Sequence, residues 1–192
     1  AEFEAEIAKA CGTEHAVAVS SGTAALHLAV IALGLEPGDE VLVPAYTFPA
    51  TANVVALSGL RPVLVDVDPI TMNVDPSKIE VGPKTKAILP VHLYGQPADL
   101  DPLQAFGLPI VEDAAHAAES RYRGRKLGGL SAATCFSLYA TKNIAAGEGG
   151  LIATNDATVA EAIDALRVMR RGHGSLYDIP VAGYKANLSD VL

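Results

Sequence analysis

The chain has little of what marks several common protein classes. It holds only two cysteines among 192 residues, Cys11 and Cys135, far apart and outside any Cys-x-x-Cys spacing. Such cysteines supply neither a disulfide framework nor a zinc site, which suits a reducing compartment. Only 19% of the residues are charged, the formal net charge is -8, and no basic run is present. We therefore expect no nucleic-acid partner and no metal site.

Long apolar runs are also missing. The longest, residues 24–35, contains His27 and Gly34 and is shorter than the roughly 20 residues that a membrane span needs. The first eight residues are acidic and amphipathic, without the positive start and apolar core of a signal peptide. These features predict a cytoplasmic protein with no membrane association.

What remains is an alternation of two patterns. Half of the residues are apolar, which is ample for one buried core. Strand-like runs occupy residues 17–20, 40–43, 62–65, 87–91 and 109–111, and helix-like segments occupy 24–33, 49–57, 75–81 and 99–106. Closely spaced strands then follow at 119–122, 134–139 and 151–153, before a last helix at 157–170. The alternation predicts a three-layer α/β/α domain over residues 1–192, with a mostly parallel central sheet and helices on both faces.

One lysine, Lys142, lies in an unusual place. It follows an apolar run at residues 132–139 that predicts a buried strand, and it precedes a Gly-rich turn at 147–150. A lysine at a strand-to-loop junction is most often a solvated surface charge. A lysine desolvated between apolar strands instead becomes a nucleophilic amine that can form an imine with a carbonyl. The second interpretation requires a site for a carbonyl cofactor such as pyridoxal phosphate (PLP).

PLP also needs a carboxylate for its pyridinium nitrogen. The apolar run that starts at Ile110 ends in Glu112 and Asp113, as expected at the carboxyl end of a parallel strand, where open sheets bind ligands. Asp113 could keep the pyridine nitrogen protonated and the ring an electron sink. Its alternative role is that of an ordinary helix N-cap.

A phosphate site is the third requirement. A short apolar run turns through residues 20–23, Ser-Ser-Gly-Thr, into a helical pattern. Free N–H groups at a helix N-terminus and small hydroxyl side chains favour an anion, and Ser137 could add a second hydroxyl. Ser and Thr are also ordinary N-caps, so the pattern alone leaves both roles open. It is neither a Walker loop nor the glycine fingerprint of a nicotinamide-binding dehydrogenase.

Five collinear segments carry a family resemblance that runs from about residue 11 to the end of the chain. They are Ser-Ser-Gly-Thr-Ala-Ala-Leu-His-Leu (20–28), Pro-Gly-Asp-Glu-Val (37–41), Pro-Val-His-Leu-Tyr-Gly-Gln (90–96), Glu-Asp-Ala-Ala-His (112–116) and Thr-Lys-Asn with Gly-Glu-Gly-Gly (141–150). Together they resemble the DegT/StrS family of PLP-dependent sugar aminotransferases. The resemblance implies the large domain of a PLP-dependent transferase of fold type I, because several motifs in one order are far more specific than any one.

The resemblance also implies catalytic roles. Lys142 would hold PLP as an imine, and Asp113 would pair with the pyridine nitrogen. His116 occupies the position where the family has His or Gln near the ring oxygen of the cofactor. Candidates for the substrate side of the pocket are His92 and Tyr94.

Further residues would bind the cofactor. Phe48 corresponds to the aromatic residue that stacks on PLP in the family, and Asn187 lies in a segment that reaches the neighbouring subunit's phosphate. Ala186 replaces an aromatic residue expected in that segment. The phosphate contacts would come from Gly22, Thr23 and Ser137.

The implied activity is transfer of an amino group from glutamate to a nucleotide-linked keto-sugar by a homodimer with shared active sites. The resemblance also implies a short extension before residue 1 and a smaller C-terminal domain after residue 192.

Two alternatives stay open. In relatives that are sugar dehydratases a histidine replaces the lysine, which Lys142 argues against, and a catalytically silent sensor or scaffold domain would keep the fold. The cluster Arg167, Arg170 and Arg171 could either end the last helix or meet substrate phosphates.

Overall fold

The computed structural model describes residues 2–168 and 181–189. Its strands are His15–Val19 (β1), Glu40–Pro44 (β2), Arg61–Val65 (β3), Thr85–Ile88 (β4), Val111–Asp113 (β5), Arg121–Tyr122 (β6), Arg125–Lys126 (β7), Ala133–Ser137 (β8) and Gly150–Thr154 (β9). Its helices are Glu2–Cys11 (α1), Gly22–Ala32 (α2), Ala50–Leu57 (α3), Leu100–Gln104 (α4) and Ala157–Val168 (α5), with 3₁₀ turns at Pro76–Lys78 and Leu93–Gly95. No helix in these residues has the length and apolarity to cross a bilayer.

Seven of these strands line up in one mixed sheet. β2 lies between β3 and β4 and pairs in parallel with both. β8 pairs in parallel with β5 and antiparallel with β9, which in turn pairs antiparallel with β1. Parallel bridges from Ile88 to Ile110 and from Val91 to Asp113 join the two halves. The order is therefore β3-β2-β4-β5-β8-β9-β1, with β9 running against the other six, and the prediction of a mostly parallel sheet is confirmed.

The sheet separates two apolar layers because successive side chains of a strand point to opposite faces. Val41 and Val43 of β2 pack in the same core cluster as α2, α3 and α5. Leu42, between them, packs on the other face with Leu100 of α4, and Ile7 of α1 packs against that same cluster. Helices thus cover both faces, as predicted for three α/β/α layers.

Two predicted strand boundaries are wrong, and the short helix predicted near 75–81 is shorter than expected. The segment at 75–81 forms only a single 3₁₀ turn, in which the Asp75 side chain accepts a hydrogen bond from the N–H of Ser77. β4 ends at Ile88, and the chain beyond it leads into the turn at Leu93–Gly95. β5 covers Val111–Asp113 instead of 109–111, so that Asp113 belongs to the strand itself.

Candidate active site

A cavity of about 450 Å³ opens beside the ends of β1, β5 and β8. The carboxyl ends of parallel strands meet at one edge of a sheet, so motifs far apart in the sequence converge there. Seven of the eight predicted site residues line this cavity, namely Gly22, Thr23, Phe48, Asp113, His116, Ser137 and Lys142. The eighth, Asn187, does not.

Asp113 is the last residue of β5 and is only 5% exposed. Its Oδ2 accepts a hydrogen bond of 2.9 Å from Oγ1 of Thr51, and its Oδ1 accepts one of 3.1 Å from the N–H of Ala115. Burial raises the pKa of the Asp113 carboxyl, and these two hydrogen bonds oppose that rise. Turns and not a helix follow Asp113, so the N-cap alternative is wrong.

Sequence reasoning missed Thr51. It lies in the first turn of α3, has no exposed surface, and its Oγ1 is 3.1 Å from Oγ1 of Thr47, which lines the cavity. Two threonines on either side of Pro49, where α3 begins, are the signal that could have found it. Thr51 and Thr47 thus extend the hydrogen bonding of Asp113 toward the cavity.

The N-terminus of α2, where the sequence predicts an anion site, lies at the cavity. Ser21 caps the helix, its Oγ accepting a hydrogen bond of 3.0 Å from the N–H of Ala24. The N–H groups of the first helical residues have no partner within a helix and attract negative charge. A Cβ at Gly22 would lie 2.8 Å from Cβ of Ser137, so only glycine lets the helix approach β8 this closely. The chain is tighter still at Gly150, where a Cβ would collide with the carbonyl oxygen of Ser21.

Lys142 lies in the turn after β8 and is partly buried at the cavity wall. Its backbone N–H donates a hydrogen bond of 2.8 Å to the carbonyl of Tyr139. His116 lines the same cavity, and its pKa is lowered first by burial and then by the positive charge of Lys142, with Asp113 opposing. Near neutral pH these effects favour the neutral imidazole.

Phe48 immediately precedes the start of α3, and its side chain is 72% exposed although it lines the cavity. An aromatic ring at a cavity wall with most of its surface free can stack on a flat ligand. Glu148, from the Gly-rich turn, lines the cavity as well.

Asn187 lies next to the anion site but outside the cavity. The segment that carries it is held by an antiparallel bridge to Val19 and by a hydrogen bond of 2.8 Å from the N–H of Ser20 to the carbonyl of Ala186. Ala186 is buried in the core, at the position where an aromatic residue was expected. The role of Asn187 at a neighbouring subunit stays a prediction.

His92 does not line the cavity, so that prediction is wrong. The side chain is fully buried, with Nε2 2.7 Å from Oε2 of Glu112. The N–H of Ala98 donates to Nδ1 of His92 at 2.9 Å, so Nε2 carries the proton and donates to Glu112. Oγ1 of Thr134 donates to the other oxygen of Glu112 at 2.9 Å. His92 faces inward because these buried groups supply its hydrogen bonds. Tyr94 does not line the cavity either.

Arg167 also lies away from the cavity. It forms ion pairs with Glu4 at 2.6 Å and with Asp164 at 2.7 Å, and it donates to the carbonyl of Ala18 at 2.7 Å. It therefore joins α5 to α1 and β1, and the substrate-phosphate role is wrong for this residue. The other two arginines of the cluster, Arg170 and Arg171, lie outside the described residues.

Comparison with known proteins identifies the family of this chain. The sequence profile of the DegT/DnrJ/EryC1/StrS aminotransferase family matches residues 1–192, and the chain belongs to this family. GDP-perosamine synthase of Caulobacter vibrioides is 45% identical over 196 residues, which are 99% of this chain and 53% of that protein. The chain spans about half the length of the relatives it matches.

Solved structures agree on the fold. DesV of S. venezuelae, in complex with a ketimine intermediate, aligns with a TM-score of 0.91 at 44% identity, over 97% of this chain and 52% of DesV. A candidate sugar aminotransferase of Streptococcus pneumoniae, Spr1654, aligns with a TM-score of 0.91 at 32% identity in both a PLP form and a PMP form, over 99% of this chain and 55% of its own. The architecture is that of the large domain of PLP-dependent transferases of fold type I.

Proposed function

We propose that this protein is a PLP-dependent aminotransferase that moves an amino group from glutamate to a nucleotide-linked keto-sugar. The observation that carries the proposal is the convergence of Lys142, Asp113 and His116 with the anion site at Gly22 in one cavity of about 450 Å³. An amine, a buried acid and a phosphate site are what PLP requires of a protein. The nucleotide sugar named in GDP-perosamine synthase supports the substrate class.

The residues present fit the cofactor. The N–H groups at the start of α2, with the hydroxyls of Thr23 and Ser137, would hold the phosphate, and Phe48 would cover the ring. The approach of Gly22 to Ser137, too close for any side chain, leaves the backbone N–H groups open to an anion. Asp113 would accept a hydrogen bond from the pyridinium N–H, and that positive charge would favour the ionised carboxylate that burial alone disfavours. PLP, when bound, supplies an electron sink for a carbanion beside the amino nitrogen.

The chain's own chemistry centres on Nζ of Lys142. This amine would hold the cofactor aldehyde between turnovers and be released when the amino donor takes its place. The free Nζ would then accept the proton from the α-carbon of glutamate, because a base must lie within hydrogen-bond reach of the proton it takes. The lowered pKa of His116 would let its neutral imidazole lie beside Lys142 without adding a second positive charge.

The protein would act in the cytoplasm as a homodimer. The free thiols Cys11 and Cys135 fit a reducing compartment. Asn187 lies beside Val19 and outside its own cavity, which fits a residue that serves the neighbouring subunit's phosphate. A short N-terminal extension and a smaller C-terminal domain would complete the enzyme, consistent with relatives about twice as long.

The test uses the full-length protein with PLP, glutamate and a panel of nucleotide-linked keto-sugars, followed by assay of 2-oxoglutarate. The wild type should show the visible absorbance band of a PLP imine, and borohydride should abolish it. Lys142→Ala should lack both the band and the activity. Lys86→Ala, at an exposed position in β4, is the matched control and should retain both.

Three results would contradict the proposal. Retention of the imine band in Lys142→Ala would place the amine elsewhere. Loss of water from the keto-sugar without release of 2-oxoglutarate would indicate a dehydratase. Failure of the wild type to bind PLP would indicate a silent domain.

A further inference from the structure

Tyr94 has a backbone conformation that tyrosine rarely adopts. Its φ of 53° and ψ of 24° lie in the left-handed region, and its side chain is 74% exposed. A non-glycine residue in this region costs on the order of 1 kcal/mol and persists only where the surroundings impose it. The backbone strain therefore indicates a functional role for Tyr94 at this position.

Side chains from distant parts of the chain hold the turn around Tyr94. The N–H of Leu93 donates to Oδ1 of Asn73 at 3.0 Å, and Nδ2 of Asn73 donates to the carbonyl of Gln96 at 3.0 Å. Oγ of Ser120 donates to the carbonyl of Gly95 at 2.8 Å. Asn73 is itself only 3% exposed. The turn is thus fixed on both sides of Tyr94 by hydrogen bonds within the chain.

The same turn is joined to the strand that ends in the candidate acid. The N–H of His92 donates to the carbonyl of Asp113 at 2.9 Å, and the N–H of Asp113 donates to the carbonyl of Pro90 at 2.9 Å. The buried pair of His92 and Glu112 lies directly beneath. The turn that carries Tyr94 therefore starts from residues that are hydrogen-bonded to Asp113.

The ring of Tyr94 lies parallel to that of His116. The ring centroids are 5.9 Å apart and the planes differ by 5°. The hydroxyl of Tyr94 is 3.5 Å from that of Tyr46, a further contact at the outer end of the ring. His116 lines the cavity and Tyr94 does not, so the tyrosine ring contacts the imidazole from beside the cavity.

His116 has little else to orient it. Across residues 2–168 and 181–189, no hydrogen bond holds either of its ring nitrogens. Rotation about the χ2 torsion of histidine is broad, so an imidazole without hydrogen bonds needs packing to define its plane. The parallel contact with Tyr94 supplies that packing.

We propose that Tyr94 is a positioning residue that sets the plane of the His116 imidazole toward the cofactor ring. The proposal rests on the proposed function for the identity of that ring, but the contact itself is made by two side chains of this chain. Tyr94 then acts on the reaction only through His116, and its strained backbone keeps the ring in place without closing the cavity.

The test removes the ring without adding strain. Asparagine tolerates the left-handed region, so Tyr94→Asn deletes the aromatic ring without adding backbone strain. With the full-length enzyme we expect kcat to fall roughly tenfold to a hundredfold while KM for glutamate changes little, as for a misplaced catalytic group. Tyr94→Phe, which keeps the ring and loses only the contact with Tyr46, should recover most of the rate.

A second measurement needs neither cofactor nor activity. In the PLP-free protein labelled at its histidines, the NMR signals of His116 are assigned by their loss in His116→Gln. Tyr94→Asn should shift these signals because the ring current of Tyr94 is gone, and Tyr94→Phe should leave them near the wild-type position. Unchanged signals and an unchanged kcat in Tyr94→Asn would overturn the proposal. Failure of the proposed function would show separately, as a wild type that releases no 2-oxoglutarate.

Discussion

Oγ1 of Thr51 donates a 2.9 Å hydrogen bond to Oδ2 of Asp113, although 62 residues separate them in the sequence. Both side chains are buried, and Thr51 has no exposed surface. The candidate acid is thus held by a helix that carries none of the ionisable residues of the site.

Thr51→Val should weaken PLP binding. Valine has nearly the shape of threonine but cannot donate, so the Asp113 pKa rises further and the ionised form that the pyridinium needs becomes less favourable. A hydrogen bond to a charged group contributes about 1.5–3 kcal/mol, which corresponds to roughly a tenfold or greater increase in the Kd for PLP. Fluorescence titration measures the Kd. Thr51→Ser keeps the hydroxyl and is the control, and equal Kd values for the valine variant and the wild type would contradict the prediction.

Asp113→Asn should stabilise the PLP-free protein near neutral pH. Burial raises the Asp113 pKa, so this carboxyl favours folding below its unfolded pKa of about 3.9, and that contribution is lost as the pH rises through the folded pKa. Asparagine does not titrate, and it can still accept from Ala115 and donate to Thr51. We expect a higher Tm than the wild type at pH 7.5, with the difference shrinking toward pH 4, as measured by thermal unfolding across a pH series.

Added PLP should reverse that order. The wild type gains the pairing of the Asp113 carboxylate with the pyridinium, which asparagine cannot offer, so PLP should raise the wild-type Tm more than that of Asp113→Asn. If Asp113→Asn were less stable than the wild type when both are measured without PLP at pH 7.5, burial would not disfavour the Asp113 carboxylate.

Gly22→Ala should damage the anion site. The new methyl group would lie 2.8 Å from Cβ of Ser137, and the resulting overpacking costs about 1–3 kcal/mol. Unfolding in urea and the Kd for PLP should both change. Ser137→Gly in the same chain removes the opposing Cβ and should restore part of the stability. The control is Gly82→Ala, whose Cβ would have no neighbour closer than 3.8 Å, and an equal loss in both alanine variants would count against the contact as the cause.

Glu112→Ala should destabilise the fold itself. It would leave the fully buried His92 and Thr134 without their shared acceptor, and each buried donor left without a partner costs about 1–3 kcal/mol. Glu112→Gln can accept from His92 with its oxygen and donate to Thr134 with its amide, so its loss should be much smaller. Urea unfolding compares the two, and similar losses in both variants would show that the volume of the side chain matters more than its hydrogen bonds.

Local patterns in the sequence predicted much of the fold and several residues of the candidate site. The alternation of apolar runs with helical periodicity predicted the layers, because burial on one face or two imposes that spacing on any strand or helix. Lys142, Asp113, Gly22, Thr23 and Ser137 were predicted from strand ends and glycine turns. Phe48, His116 and Asn187 were predicted only from the family resemblance. Seven of eight proved to line one cavity, since the ends of parallel strands share an edge.

Other features depend on partners that no local pattern reveals. His92 and Tyr94 are two positions apart, yet one is buried against Glu112 and the other lies exposed over His116. Their different roles arise from the turn between them, which Asn73 and Ser120 impose from distant parts of the chain. The sequence by itself therefore determined which elements form and which chemical groups lie at their ends. Only the tertiary structure decided which groups meet, because hydrogen bonding and close approach between distant segments exist only once the chain has packed.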